Sequence, residues 1–162
     1  MFLKTSDMQN KKYILLLPVL MLLYTACKQN GVYEDYKSID GEKWCRENVI
    51  EFETVIPDSG KYTVNLCLRH TTDYEMANLW CFISTRSLMD KELRDTLNLK
   101  VAEPDGRWLG DGSTIKTLRQ PLGKNPVTLP KGNITFRVEQ GMRIECLQGV
   151  KDIGLEIVKA TD

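Results

Sequence analysis

The chain has 162 residues, with 22 basic and 22 acidic side chains, a single histidine and five cysteines. That length fits one domain whose core can stand without disulfides. The charge balance excludes the basic footprint of a nucleic-acid binder and gives no polybasic attraction to anionic lipid, while one histidine and no Cys-x-x-Cys spacing leave no zinc site, so neither metal nor cofactor is expected.

Lys11 and Lys12 precede an apolar run over residues 13–23, which gives way to Thr25-Ala26-Cys27. A positive start, an apolar stretch of ~7–15 residues and small residues at a cleavage site make a secretory signal. The stretch falls short of the ~20 residues of a membrane span. Leu23-Tyr24-Thr25-Ala26-Cys27 resembles a bacterial lipobox, with Tyr24 where leucine is usual. It makes Cys27 the lipid-attachment residue and the mature N-terminus. Met8 is an alternative start with a more compact basic segment. The expected organisation is a signal peptide over 1–26, a lipidated N-terminus and tether over 27–43, and the folded domain over 44–162. Cleavage removes Lys4, Lys11, Lys12 and Asp7, leaving a net charge of −2. Membrane association therefore rests on the lipid.

Polar residues 28–41 carry no sustained apolar period and read as the tether. From Val49 onward apolar residues alternate. Residues 49–56 predict a strand stopped by Pro57-Asp58-Ser59-Gly60, and residues 62–69 place Tyr62, Val64, Leu66 and Leu68 on one face, which predicts a hairpin about that turn. Further strands follow at 79–86 and 96–101, then a glycine-rich loop over 104–112, then strands at 115–118, 134–138 and 153–158. Residues 142–147 read as a short helix or an irregular crossover, and 89–93 as a helical turn. Short strands with turn signals every ~8–12 residues predict an all-β fold, an antiparallel β-sandwich of immunoglobulin-like or jelly-roll-like type.

No catalytic signature stands out. His70 has Asp58 or Asp73 as candidate acid and Ser59 or Thr71 as candidate nucleophile, but no Gly-x-Ser-x-Gly elbow, and reads as a strand-end histidine bonded to a loop. Asp105 and Asp111 sit among glycines, yet Arg107 and Leu109 occupy the alternate positions that a calcium loop fills with oxygen ligands. Glu51 and Glu53 share a strand face that reads as solvated rather than as a glycosidase pair. Among the tryptophans, Trp80 lies in an apolar run and is expected in the core, leaving Trp44 and Trp108 freer to bind sugar faces. Cys45, Cys67, Cys81 and Cys146 allow two bridges in three connectivities. Cys67 and Cys81 lie in strand runs, where a free thiol packs as a small hydrophobe, and the pairing stays open.

Several segments resemble the gliding motility lipoprotein GldH family of Bacteroidetes: Gly31-Val32-Tyr33-Glu34-Asp35-Tyr36, Leu68-Arg69-His70-Thr71-Thr72-Asp73-Tyr74 with Asn78-Leu79-Trp80, Arg94-Asp95-Thr96-Leu97, Asp105-Gly106-Arg107-Trp108-Leu109-Gly110, and Glu139-Gln140-Gly141-Met142-Arg143. The resemblance implies a non-enzymatic outer-membrane lipoprotein, anchored through Cys27 and grouped with gliding and type IX secretion. Its expected partners are other envelope lipoproteins or motility and secretion proteins, with no nucleic acid. Residues 28–30 after Cys27 carry no acidic run, which points to the periplasmic face rather than the cell surface. Arg69, His70, Asn78, Arg107, Trp108 and Arg143 are the candidates for docking a partner or for fixing loops, with Asp73 or Asp95 as acids for the arginines. The alternative is a lipid-anchored glycan-binding module using Trp44 or Trp108.

Overall fold

The computed structural model describes residues 31–87, 92–123 and 126–160. Cys27, the export segment and most of the expected helical turn at 89–93 lie outside them. Two antiparallel sheets enclose one core. The first runs β1 (Gly31–Ser38), β11 (Val150–Lys159), β4 (Gly60–His70), β7 (Lys116–Pro121), with β8 (Val127–Leu129) paired to the start of β4. The second runs β3 (Ile50–Ile56), β9 (Gly132–Gln140), β5 (Asn78–Ser87), β6 (Leu93–Lys100). A separate ribbon joins β2 (Lys43–Cys45) to β10 (Cys146–Gln148). The described residues hold no α-helix, only a 3-10 turn at Asp40–Glu42.

The alternation read from the sequence explains the layers. Tyr62, Val64, Leu66 and Leu68 of β4 and Phe52 and Ile56 of β3 are all buried. They belong to one apolar cluster filled from both sheets. The predicted hairpin, however, is not there. β3 pairs with β9 from Ile50↔Val138 to Ile56↔Gly132, and β4 pairs with β11, so residues 57–59 carry the chain from one sheet to the other. A crossing lets the apolar faces of β3 and β4 oppose each other across the core, as a hairpin within one sheet would not. Tyr62 Oη donates to Asp58 O at 2.6 Å, and Lys131 N donates to Ser59 Oγ at 2.9 Å, which holds the crossing in place.

The expected tether is also corrected. Residues 31–38 are β1, registered on β11 from Gly31↔Val158 to Ser38↔Asp152. An edge strand is held by backbone bonds on one side and buries neither face fully, so it leaves little periodicity to read. Tyr36 lies across Gly154, where a Cβ would meet its ring at 2.6 Å. Residues 142–147 form neither a helix nor a crossover alone: a loop runs to 145 and β10 begins at Cys146.

The registers give the sandwich two distinct ends. Gly31 lies beside Val158, and Lys159 beside Tyr62, so the described chain starts at the end that carries links 57–59 and 130–131. The opposite end carries the β2–β10 ribbon, the Cys45–Cys146 disulfide and loops 71–77, 101–115 and 141–145. Cys67 and Cys81 are buried free thiols, and burial pushes both up from the ordinary thiol range, so they stay protonated and inert.

Candidate functional site

The disulfide end gathers most of the candidate residues, in two separate groups. The first is internal. His70 closes β4 on its inward face with no exposed surface, and its Nδ1 lies 2.9 Å from Thr71 O. Its ring meets Trp108 at 5.0 Å and Tyr74 at 5.4 Å between centroids. Tyr74 Oη in turn donates to Asn78 O at 2.9 Å. These rings pack loop 101–115 against loop 71–77. Gly149, at φ +75°, takes Thr71 N on its carbonyl, and any Cβ there would run into the Tyr74 backbone nitrogen.

Burial pushes the His70 imidazole below its ordinary value, with the nearby Lys116 charge adding and the Thr71 carbonyl opposing. The unfolded chain takes a proton near pH 6.5 while the folded chain resists it. Stability is therefore full above that pH and falls as the medium is acidified through it, by up to ~1.4 kcal/mol per pH unit. Urea midpoints measured between pH 7.5 and 5.5 are expected to fall with acid in the native chain and to flatten in His70→Gln. An equal slope in both would remove His70 as the cause.

The second group opens to solvent. Because Leu79, Cys81 and Ile83 of β5 point inward, Trp80 points outward and is 42% exposed, whereas Trp44 is fully buried and Trp108 packs partly buried against the core. This reverses the expectation that Trp80 is core and Trp44 free. β5 parity decides the first case. The β2–β10 ribbon closing over Trp44, whose Nε1 donates to Asn48 O at 2.7 Å, decides the second. Trp80, Met76, Asn78, Met142, Arg143 and Ile144 line a groove of about 580 Å³. Ile144 is 37% exposed, so the groove combines an exposed indole, thioethers and an aliphatic side chain with one guanidinium.

Gln140, which sequence reasoning missed, braces the loop that forms one wall of the groove. It is buried at the inward position that continues Ile134, Phe136 and Val138 along β9. Its Nε2 donates to Ile144 O at 3.2 Å and Glu145 O at 3.0 Å, and its Oε1 accepts from Met142 N at 2.9 Å. Arg46 Nη2 reaches Met142 O at 2.5 Å, and Gly141 N donates to Trp80 O at 2.7 Å. A glutamine where the apolar period calls for a hydrophobe was the available signal.

The remaining candidates stand apart. Arg69 is on the outer face of the first sheet, 3.9 Å above the Tyr36 ring and 3.8 Å from Asp152, so neither Asp73 nor Asp95 is its acid. Arg107 is exposed on a turn whose Asp105 Oδ1 accepts the Arg107 amide at 3.0 Å, and its side chain has no ion pair among the described residues. Ser59 and His70 lie at opposite ends of β4 and cannot form a dyad. Glu51 pairs with Arg137 at 3.0 Å on the outer face of the second sheet.

Comparison with known proteins places the chain in a family. The family described as GldH lipoprotein matches residues 31–157. The gliding motility lipoprotein GldH of Flavobacterium johnsoniae is 30% identical over 152 residues, covering 89% of this chain and 93% of that protein. A gliding motility lipoprotein GldH homolog of Christiangramia forsetii is 28% identical over 149 residues, covering 86% and 91%. Among solved structures, a family 35 carbohydrate binding module from Clostridium thermocellum gives a TM-score of 0.43 at 16% identity over 79% of this chain and 89% of its own. An Eiger TNF structure from S. frugiperda gives 0.38 at 11% identity over 82% and 87%.

Proposed function

The chain belongs to the GldH lipoprotein family, and from that membership we propose that it is a non-catalytic outer-membrane lipoprotein serving as an accessory subunit of the gliding and type IX secretion-linked envelope machinery. It is a gliding motility lipoprotein anchored to a membrane. The finer reading adds Cys27 as the lipid-bearing residue and the periplasmic face of the outer membrane as its location. A disulfide supports an oxidising compartment independently of the export signal, since such bridges persist outside the cytoplasm.

The observation that carries the role is the groove around Trp80. An exposed tryptophan, adaptable methionines and an arginine in one rigid recess are the residue types that anchor protein partners. His70 and Trp108 then fix loops at the same end, and Asn78 and Arg143 are the candidates placed to touch a partner. Native membranes from cells carrying tagged protein test this. Trp80→Ala and Arg143→Glu are expected to lose co-purifying envelope lipoproteins and to abolish gliding, with melting temperature unchanged. Retained co-purification in both variants would sink the assignment. Of the two aromatics named for the glycan-binding alternative, Trp44 is buried and Trp108 packs partly buried against the core. A glycan-array signal abolished by Trp80→Ala would revive that alternative.

A further inference from the structure

Among the described residues, four large hydrophobic side chains are strongly exposed. Trp80 and Ile144 belong to the groove. The other two lie toward the opposite end, on the two edge strands of the second sheet: Val55, 66% exposed, one residue before β3 ends, and Leu93, 69% exposed, the first residue of β6 and level with Phe136 through Thr85. Val55 borders a recess of about 680 Å³ with Val32 and Tyr33. Leu93 stands at the mouth of a second cleft of about 310 Å³ between the sheets, walled by Val64, Leu97, Leu122, Val127 and Phe136. Two separate elements thus leave apolar surface uncovered at one end of the molecule.

The length of chain preceding this end says what covers it. Cys27 lies four residues before Gly31, and a fully extended chain spans at most about 14 Å over that distance. β4, which runs the length of the sandwich, has eleven residues and extends about 36 Å. A domain held so closely cannot stand clear of the surface that holds its lipid. We propose that the Gly31 end is a membrane-contact face whose partner is the phospholipid leaflet carrying the lipid of Cys27, with Leu93 and Val55 entering its interfacial layer. This rests on the lipid-anchor reading above. Charge contributes little to the contact: among the described residues at this end, Lys61, Arg86, Lys131 and Lys159 stand against Glu53, Asp58 and Glu92. The attraction is apolar and insensitive to salt. The same orientation holds the Trp80 groove away from the leaflet, facing the envelope space.

The test uses the full lipidated chain in vesicles of phosphatidylethanolamine and phosphatidylglycerol doped with spin-labelled lipid. Leu93→Cys, Val55→Cys and Ile144→Cys each carry an environment-sensitive NBD fluorophore, since Cys67 and Cys81 are buried from the label. The expected result is blue-shifted emission and quenching at positions 93 and 55, unchanged by salt, with neither at 144. Vesicle-bound protein that is quenched at 144, or at none of the three positions, overturns the contact face while leaving the anchor intact. Protein that fails to float with vesicles overturns the anchor reading and this proposal with it.

Discussion

Replacing Trp44 by alanine is expected to lower the unfolding free energy by about 3–5 kcal/mol, the range for emptying a buried aromatic site. Trp44 is fully buried and sits in β2, opposite Leu147 of β10, which is 1% exposed. The indole therefore plugs the disulfide end of the sandwich beneath a ribbon that has no other sheet to lean on. Its removal also leaves Asn48 O without the Nε1 donor. The ribbon is pinned by a covalent bond and cannot collapse freely onto the vacated volume, so the loss falls toward the upper part of the range. Urea unfolding with an unchanged slope and a lowered midpoint is the expected readout. A loss under about 1 kcal/mol, the size typical of an ordinary substitution, would show that the ribbon carries no load.

How far the sequence disclosed this architecture depends on which strands bury a face. β3, β4, β5, β9 and β11 alternate because one side of each meets the core, and they were legible. β2, β8 and β10 are three residues long, too short for a period to register. β1 is an edge strand whose residues are all exposed or half-buried. Pro57-Asp58-Ser59-Gly60 was rightly read as a reversal of direction, yet turn chemistry is silent on whether the next strand joins the same sheet. Trp80 is the instructive case. Hydrophobicity summed over its run suggests core, while strict alternation with Leu79 and Cys81 puts it outside, and alternation prevailed because both neighbours are fully buried. Residue types singled out His70, Trp108, Asn78 and Arg143, which the fold gathers at the disulfide end. Alternation along β4 puts Arg69 on the face opposite Leu68, but only the pairing of β4 with β11 assigns that face to the exterior of the first sheet, away from the groove.

Breaking the Cys45–Cys146 bridge, by Cys146→Ser or by reductant, is expected to cost about 5 kcal/mol on the chain-entropy account. The two cysteines stand opposite each other in the β2–β10 pair and are 101 residues apart in sequence. The closed loop contains β3 through β9, so the bridge restricts most of the unfolded domain. Identical urea midpoints for oxidised and reduced protein would refute the expectation. Cys146→Ser and Trp44→Ala act on one ribbon, so their losses should couple, falling short of additivity by about 1 kcal/mol. The bridge also reaches the groove. Arg46 N donates to Glu145 O at 3.0 Å, the same carbonyl that Gln140 holds, which ties β2 to the loop bearing Met142, Arg143 and Ile144. Reduction at a temperature where the sandwich stays folded should therefore weaken partner co-purification before any melting is seen. A bridge that served stability alone would leave capture unchanged under those conditions.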